Sequence, residues 1–410
     1  MMVNVIGLGY IGLPTALMMA AHDVDVVGTD CNTTRVEQLN RWEMVFEEKG
    51  LSELMSMAKE KGLRFSDKYQ KAEMYVVAVP TPYDSNSKKI DPSFVIEAVK
   101  QVLQVAPKGA IIVIESTVSP GTIDRFVRPV AKEMGLVDGQ DIHFVHAPER
   151  IIPGNMIYEL LHNSRTIGAD SMEIAEKVSE VYKKFCQGTI VTTNVRAAEM
   201  TKVVENTFRD INIAYANELA KICRFADMDV YEIIRIANMH PRVNILQPGP
   251  GVGGHCISVD PWFLVGDYPE LAKIVRTARD INDAMPEYVL KRTSAILEEE
   301  GVRDVSRVGI YGLTYKENVD DTRESPSLQL LDCLKKHLAA PLKCYDPYVK
   351  TDMVARQVHD LDSFLDDVDM VIVMVGHDEI RENVKKLSGK IVLDTRNLFT
   401  KDDIKKLYKL

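Results

Sequence analysis

The sequence predicts an α/β protein with two doubly wound domains joined by a helical central domain that contains one long helix. Strand-length apolar runs alternate with helix-like segments near both ends of the chain. Residues 196–226 contain no glycine or proline and carry apolar residues at helical spacing. With 410 residues, 46% of them hydrophobic, the chain can fill two or three cores. We therefore predict domains at 1–194, 195–300 and 301–410.

The composition excludes several classes of function. The formal charge is −10, from 50 basic and 60 acidic residues, which argues against nucleic acid or an anionic membrane as the main partner. The six cysteines form no C-x-x-C pair and no metal-ligand spacing with the nine histidines, so we expect a reduced, cytoplasmic protein without a metal site. The longest apolar runs are too short to span a membrane. A strand begins the chain directly, so we expect no signal peptide.

The first motif is Gly7-x-Gly9-x-x-Gly12, which follows a β-branched strand and precedes a helical apolar pattern. Asp30 ends the next strand, 18 residues after the last glycine. Glycines at this spacing allow a pyrophosphate to approach a helix N-terminus, and the acid suits the ribose hydroxyls. The pattern predicts a Rossmann-like domain that binds NAD rather than NADP. The alternative is a glycine-rich turn in another α/β protein.

The strands that follow predict a parallel sheet with helices on both faces. Ligands of such sheets bind at the carboxyl ends of the strands, so Thr81, Ser116 and Thr117 are candidate cofactor contacts. Hydroxyl-rich loops are also ordinary strand exits. Glu149 and Arg150 offer an acid and a cation at another strand end, or they form a surface ion pair. These strands are predicted at 74–79, 110–116, 143–147, 165–169 and 189–193.

The long helix predicted over 196–226 has two distinct faces. Lys202, Asn206 and Arg209 recur in one row, which suits a phosphate or a developing oxyanion, although most such rows are solvated polar faces. A helix of this length usually bridges domains or forms a dimer seam. The apolar row on the other face comprises Val204, Phe208, Ile211, Tyr215, Leu219 and Ile222.

The stretch GPGVGGHCISVDP, residues 249–261, is too poor in side chains to build a core. Its glycines allow backbone amides to approach an anion, and a thiol placed where a helix begins becomes a nucleophile. Cys256 is therefore a candidate nucleophile, with Asp260 four residues on; the alternative is a turn before a buried cysteine. His240 and Arg242, shortly before the loop, offer donors to an anion. Further helices are predicted at 229–239 and 268–300.

The C-terminal third predicts a second α/β domain, with strand, turn and helix over 307–337 and further strands to residue 397. It has no G-x-G-x-x-G motif, so we expect no second NAD. Lys316, Arg323 and Arg396 at its strand ends predict a nucleotide or diphosphate ligand. The alternative is a regulatory or purely structural repeat of the first domain.

Six motifs in this order, over nearly the whole chain, resemble the UDP-glucose/GDP-mannose dehydrogenase family: GLGYIGLP, STVSPGT, APER, the Lys202/Asn206 helix, GGHCISVDP and GLTYKENVDDTRESP. The resemblance implies oxidation of C6 of a nucleotide sugar from alcohol to carboxylate, with two NAD in turn and one cysteine. It also implies an N-terminal NAD domain, a central dimerisation domain and a C-terminal nucleotide domain. The expected assembly is a homodimer or a higher oligomer.

The resemblance assigns roles to individual residues. Cys256 would capture the aldehyde as a thiohemiacetal that becomes a thioester, and Lys202 would act as general acid/base or oxyanion partner. Glu149 and Asp260 would assist thioester hydrolysis, while Thr117 and Asn206 would position water and substrate. In the family, the arginine matching Arg242 can reach in from the neighbouring subunit. The matched substrate-binding positions are Arg150, Ile151, Lys202, Asn206, Arg209, His240, Arg242, Gly253, Tyr315, Lys316 and Arg396. The matched cofactor positions are Gly7, Gly9, Tyr10, Ile11, Gly12, Asp30, Arg35, Thr81, Thr117 and Arg323.

Departures from the family pattern narrow the range of sugars that we expect as the substrate. Pro153 stands where UDP-glucose enzymes carry a second glutamate, and the loop reads PGPGVGGHC rather than approximately F-G-Y-G-G-x-C, which favours 2-acetamido sugars. Val259 and Pro261-Trp262-Phe263 favour UDP-N-acetyl-D-mannosamine over UDP-N-acetylglucosamine or UDP-glucose. Two other functions remain open: a two-electron dehydrogenase of the β-hydroxyacid type, which needs no thiol, and a catalytically silent NAD-binding regulatory protein.

Overall fold

The computed structural model describes residues 1–336 and 341–410, and the predicted α/β fold class is confirmed. The chain forms two compact units. The first contains Met1–Glu205 and Trp262–Pro269, and the second contains Asn206–Pro261 and Glu270–Leu410. The boundaries of the three predicted domains stay a prediction. Residue 337, the end of one predicted segment, lies outside the described residues.

The first unit is built on an eight-stranded sheet with the strand order β3-β2-β1-β4-β5-β6-β7-β8. Its two central strands, Met74–Val77 and Ala110–Ile114, are buried along their whole length, as expected when helices cover both faces of a parallel sheet. The strands are β1 (Met2–Ile6), β2 (Asp25–Thr29), β3 (Arg64–Ser66), β4 (Met74–Val77), β5 (Ala110–Ile114), β6 (Ile142–His146), β7 (Arg165–Ala169) and β8 (Ile190–Thr193).

The predicted parallel sheet is confirmed for the strands up to β6, whereas β6 and β7 pair in antiparallel fashion. The helix between them, Met156–His162, has seven residues and is about 10 Å long. The chain enters β7 from the end of the sheet at which β6 stops.

The helices of the first unit follow its strands. The first of them is buried along its whole length and begins at Gly12, directly after the glycine turn. They are α1 (Gly12–Ala21), α2 (Thr33–Asn40), α3 (Leu51–Glu60), α4 (Ser93–Val105), a π-helical turn (Ile123–Val127), α5 (Arg128–Glu133), α6 (Met156–His162) and α7 (Met172–Tyr182).

The predicted long helix is confirmed as α8 (Val195–Phe225), but much of its apolar row is exposed. The polar row is buried at Lys202 (6% exposed) and Asn206 (4% exposed) and is exposed at Arg209. The apolar row is open, with Phe208 66% and Tyr215 53% exposed. An apolar helix face this accessible is typical of an interface.

The second unit contains a six-stranded parallel sheet with the order β11-β10-β9-β12-β13-β14, which repeats the order of the first six strands of the other sheet. Its helices are α9 (Val230–Ala237), α10 (Asp260–Asp267, which extends into the first unit), α11 (Lys273–Asp283), α12 (Met285–Glu299), α13 (Pro326–Lys336), α14 (Leu361–Asp366) and α15 (Asp378–Glu382), with 3₁₀ turns at Val305–Arg307 and Val384–Leu387. Its strands are β9 (Val308–Tyr311), β10 (Lys343–Tyr345), β11 (Gln357–Val358), β12 (Met370–Val373), β13 (Ile391–Asp394) and β14 (Lys406–Lys409).

In each of the two sheets, the amide two residues after the first strand donates a hydrogen bond to an aspartate. The Leu8 amide donates to Asp30 Oδ2 at 2.7 Å, and the Leu313 amide donates to Asp346 Oδ2 at 2.6 Å. In the second sheet, His377 Nε2 also lies 3.1 Å from Asp346 Oδ2. Asp30 and Asp346 thus occupy equivalent positions in the two sheets, and the loop before Asp30 carries the glycine fingerprint.

Over 1–336 and 341–410, no helix is long and apolar enough to cross a membrane. The same residues contain no group of three or more histidines, cysteines or carboxylates placed to hold a metal ion.

Candidate active site

The turn between β1 and α1 requires glycine at both ends. Gly7 has a φ of +88°, and a Cβ atom on Gly12 would collide with the carbonyl oxygen of Gly7. A Cβ atom on Gly9, by contrast, would meet nothing within 4 Å. The turn thus leaves open space at the start of a helix, which is what a dinucleotide pyrophosphate needs. Tyr10 and Ile11, both half-buried, complete the turn.

Asp30 is a buried acid directly after β2, held by three donors. Its Oδ2 accepts hydrogen bonds from the Leu8 amide at 2.7 Å and from Arg35 Nη1 at 3.1 Å, and its Oδ1 accepts one from the Asn32 amide at 2.8 Å. The carboxylate is therefore fixed at the edge of the sheet where a ribose would bind. Thr81 is half-buried in the loop after β4.

Thr117 is half-buried in the loop after β5, and this loop is attached to α8. The Glu199 carboxylate accepts hydrogen bonds from the amides of Gly121 and Ile123, the latter at 2.9 Å. Burial raises the pKa of Glu199 to about 7, although both amides act in the opposite direction. Lys202 lies three residues further along the helix. Glu199 thus links the Thr117 loop to the helix that carries Lys202.

Glu149 is a buried acid, so the alternative of a surface ion pair with Arg150 is wrong. Its Oε2 contacts Arg165 Nη2, and the two side chains are only 3% and 4% exposed. Arg165 Nη1 also lies 3.7 Å from Oε1 of Glu115. Arg150 instead donates to the Glu205 carboxylate at 2.6 and 2.8 Å. Ile151, the next residue, is buried in the core.

Cys256 is an exposed thiol at the end of the glycine loop, so the alternative of a buried cysteine is wrong. Two residues earlier, Gly254 has a φ of +81° and donates its amide to the Arg323 carbonyl oxygen at 2.9 Å. A Cβ atom on Gly254 would lie 2.9 Å from the Tyr315 ring, so glycine is needed here. The segment from Tyr315 to Arg323 therefore fixes the path of the loop. The Asp260 amide donates to the Cys256 carbonyl oxygen at 2.9 Å.

Asp260 and Asn206 form a buried pair next to this loop. Asn206 Nδ2 donates to Asp260 Oδ2 at 2.6 Å. The acid begins α10 and thus lies one helical turn after the thiol. The second unit brings together Cys256, Asn206 and Asp260, while Lys202, Glu149 and Thr117 belong to the first unit.

Arg396 and Tyr315 of the second unit lie next to the same glycine loop. Arg396 Nε donates to the Met374 carbonyl oxygen at 2.8 Å, and its Nη1 lies 3.3 Å from where a Cβ atom of Gly249 would be. Burial lowers the pKa of Arg396. A Cβ atom on Gly253 would lie 2.7 Å from Cβ of Tyr315. Lys316, next to Tyr315, is half-buried.

Other predicted substrate contacts lie on the surface. Arg209, His240 and Arg242 are exposed, and the Arg242 amide donates to His240 Nδ1 at 3.3 Å. The alternative of a solvated polar face on α8 therefore holds for Arg209 but is wrong for Lys202 and Asn206, which are buried.

Sequence models of one protein family match most of the chain. The NAD binding domain of the UDP-glucose/GDP-mannose dehydrogenase family matches residues 1–186, its central domain matches 196–284, and its UDP binding domain matches 309–401. The chain belongs to the UDP-glucose/GDP-mannose dehydrogenase family. NAD is therefore the cofactor of this family member, and the resemblance drawn from the motifs is confirmed.

Relatives within the UDP-glucose/GDP-mannose dehydrogenase family match over nearly full length. The UDP-N-acetyl-D-mannosamine dehydrogenase of Methanocaldococcus jannaschii is 41% identical over 409 residues, covering 97% of this chain and 92% of that protein. The UDP-N-acetyl-mannosamine dehydrogenase structure from Staphylococcus aureus has a TM-score of 0.88 at 39% identity, covering 100% and 98% of the two chains. A UDP-D-ManNAc dehydrogenase structure from Pyrococcus horikoshii has a TM-score of 0.90 at 35% identity, covering 98% and 96%.

Sequence reasoning missed a buried network behind the glycine loop of this family member. Arg279, 1% exposed, donates from Nη1 to Asp210 Oδ1 at 2.6 Å and to the Ile257 carbonyl oxygen at 3.4 Å. Asn282 Nδ2 also donates to Asp210 Oδ1, at 2.8 Å, and the Asn282 side chain accepts from Asn217 Nδ2 at 2.8 Å. A signal was available, because Asp210 lies four residues after Asn206 on the same helix face.

Proposed function

We propose that this protein oxidises C6 of UDP-N-acetyl-D-mannosamine to the carboxylate, giving UDP-N-acetyl-D-mannosaminuronate with reduction of two NAD. The observation that carries this proposal is the exposed thiol of Cys256, one helical turn from the buried Asn206–Asp260 pair. An exposed thiol at the end of a glycine loop has the access a nucleophile needs. The first hydride transfer takes the alcohol to an aldehyde, and the second requires a nucleophile on the same carbon, which a thiol can provide.

The chain supplies the groups for each step. NAD, when bound, accepts a hydride in each oxidation. Cys256 adds to the C6 aldehyde and retains the carbon, first as a thiohemiacetal and then as a thioester, so that the aldehyde is not released. Lys202 acts as proton acceptor or oxyanion partner at the C6 oxygen. Water cleaves the thioester with the help of Glu149 and Asp260, while Thr117 and Asn206 position water and substrate.

The choice of sugar rests on the loop and on the relatives. Pro153 and the sequence PGPGVGGHC depart from the UDP-glucose pattern, and Val259 with Pro261-Trp262-Phe263 favours mannosamine. Relatives at 41% identity and neighbouring structures at 39% and 35% identity carry the name of a mannosamine enzyme. We propose that the UDP portion binds to the domain at 301–410, with Lys316 and Arg396 as cationic contacts.

The proposal also covers binding of the cofactor and the remaining sugar contacts. In the domain at 1–194, Gly7, Gly9, Gly12 and Asp30 hold the pyrophosphate and the ribose of NAD. The domain at 195–300 carries the cysteine. The other proposed cofactor contacts are Tyr10, Ile11, Arg35, Thr81, Thr117 and Arg323. The other proposed substrate contacts are Arg150, Ile151, Arg209, His240, Arg242, Gly253 and Tyr315.

The assay that tests this function measures NADH formed per sugar consumed. We expect two NADH per UDP-N-acetyl-D-mannosamine and slower reaction with UDP-N-acetylglucosamine or UDP-glucose. Cys256→Ala should lose overall turnover, whereas Cys31→Ala, which removes another exposed thiol, should retain it. One NADH per sugar with an undiminished Cys256→Ala variant would indicate a two-electron dehydrogenase. Tight NAD binding without NADH from any UDP- or GDP-sugar would indicate a regulatory protein.

We further propose a cytoplasmic homodimer joined through the α8 apolar stripe, which comprises Val204, Phe208, Tyr215 and Ile222, each between 47% and 66% exposed. Burying such a stripe against a second copy would remove it from water. Phe208→Glu should give the monomer mass in sedimentation equilibrium. Met172→Glu, which changes an equally exposed apolar residue on α7, should leave the mass unchanged. A dimer that persists in Phe208→Glu contradicts this interface.

A further inference from the structure

A buried group of ionisable side chains at the carboxyl ends of β5 and β6 contains one acid that the proposed chemistry does not use. This acid is Glu115, whose side chain is fully buried. Its Oε1 accepts a hydrogen bond from the Tyr182 hydroxyl at 3.0 Å, and its Oε2 accepts one from Thr15 Oγ1 at 3.2 Å. A buried carboxyl with two hydroxyl partners is a built site rather than an accident of packing.

Arg165 connects Glu115 to Glu149. Its Nη2 contacts Glu149 Oε2, and its Nη1 lies 3.7 Å from Glu115 Oε1. The guanidinium carbon also lies 4.5 Å from the centre of the Tyr182 ring, which closes the group on one side. Two ionised carboxylates beside one guanidinium would leave a net negative charge in a site hidden from water. Retaining one proton on the two carboxylates removes that cost.

We propose that Glu115 is a positioning residue for Glu149: the two carboxylates share Arg165, and a single proton held by this group keeps the guanidinium paired and Glu149 in place. The inference rests on the proposed function, in which Glu149 assists thioester hydrolysis. In that step the water oxygen bonds to the thioester carbon, and the electron pair of the carbon–sulfur bond returns to Cys256. One water proton passes to Glu149 and the other to solvent.

The groups that face Glu115 act in opposite directions. Desolvation and the charge of Glu149 raise the pKa of Glu115 to about 7, whereas Arg165 on β7, Tyr182 on α7 and Thr15 on α1 act to lower it. The thiol of Cys186 also lies near Arg165. A proton shared by coupled acids belongs to the pair rather than to either acid.

Two variants should shift, in opposite directions, the pH at which the group loses its shared proton. Glu115→Gln keeps the shape but removes the second carboxylate, so the ascending limb of the pH–rate profile should move to lower pH by at least about one unit, with a lower plateau. Tyr182→Phe removes a donor that stabilises the ionised pair, so the limb should move to higher pH. A purely structural role for these side chains would not give shifts of opposite sign.

An independent measurement needs no turnover. Infrared titration of the ligand-free protein should detect the carbonyl stretch of a protonated carboxyl that disappears near pH 7, is missing in Glu115→Gln and persists to higher pH in Tyr182→Phe. A folded Glu115→Gln variant with the wild-type pH–rate limb, or with the wild-type carbonyl band, would overturn the inference. If Glu149→Gln hydrolyses the thioester at the wild-type rate, the proposed role of Glu149 fails, while the infrared titration still decides whether the pair holds the proton.

Discussion

Asn206 donates a hydrogen bond from Nδ2 to Oδ2 of Asp260 at 2.6 Å, and both side chains are buried. A hydrogen bond to a charged group is worth roughly 1.5–3 kcal/mol, and it orients the acceptor as well as stabilising it. Because the Asp260 amide donates to the Cys256 carbonyl oxygen, the acid and the thiol belong to one turn of backbone. Asn206 therefore fixes the acid of the turn that carries the proposed nucleophile.

The Asp260→Asn variant should fold normally and accumulate the thioester. The new amide preserves the size of the side chain and an acceptor for Asn206, but it cannot assist the attacking water. We expect kcat to fall by about 100-fold or more. Mass spectrometry of the acid-quenched enzyme should find the sugar attached to Cys256. Wild-type turnover in Asp260→Asn would exclude a chemical role for this acid.

Replacing Asp30 by asparagine should weaken the preference for NAD. Arg35 Nη1 lies 3.1 Å from Asp30 Oδ2, so loss of the negative charge leaves the guanidinium available to a 2′-phosphate. We expect the ratio of kcat/KM for NADP to that for NAD to rise at least about tenfold, which corresponds to roughly 1.4 kcal/mol. The double variant Asp30→Asn/Arg35→Ala is the control and should lose this gain. An unchanged ratio in Asp30→Asn would show that the acid does not select the cofactor.

The Arg279→Met variant should be strongly destabilised. It leaves the Asp210 carboxylate buried without the guanidinium that lies 2.6 Å away, which costs about 3–5 kcal/mol of unfolding free energy. Adding Asp210→Leu should recover much of this loss, because no uncompensated charge then remains. Urea titration measures both effects.

The control variant Lys291→Met breaks an exposed pair with Glu287 and should change stability by less than about 1 kcal/mol. A loss equally small in Arg279→Met would contradict this account.

Local chemistry made part of the site predictable from the sequence. The glycine turn and Asp30 belong to one short motif whose spacing follows from a strand, a turn and a helix. Cys256 and Asp260 are four residues apart, so their relation within one turn is also local. The partners of Glu149 were not predictable, because Arg165 lies on β7 and Glu115 directly follows β5. Their meeting depends on strand order and on the antiparallel entry of β7.

The long helix illustrates a second limit of sequence reasoning. Its apolar and polar rows were both identified correctly from their spacing. Periodicity identifies faces but does not say which face the rest of the chain covers. In the structure Lys202 and Asn206 are buried while Phe208 and Tyr215 are open, because charged and amide groups on this helix have buried partners such as Asp260. The usual rule that the apolar face of a helix lies inward therefore does not predict this arrangement.

Glu199 should make the stability of the protein depend on pH. Its folded pKa, about 7, is raised above the ordinary value of 4.5, so the folded chain holds a proton that the unfolded chain has released. This contribution is fully present below about pH 4.5 and is lost as the pH rises through 7, by an amount on the order of 3 kcal/mol.

In Glu199→Gln the unfolding free energy should therefore decline less between pH 5 and pH 8 than in the wild type. Glu97→Gln, which changes an exposed glutamate on α4, should keep the wild-type slope. Equal slopes in Glu199→Gln and the wild type, measured by urea titration at each pH, would mean that Glu199 is ionised throughout this range.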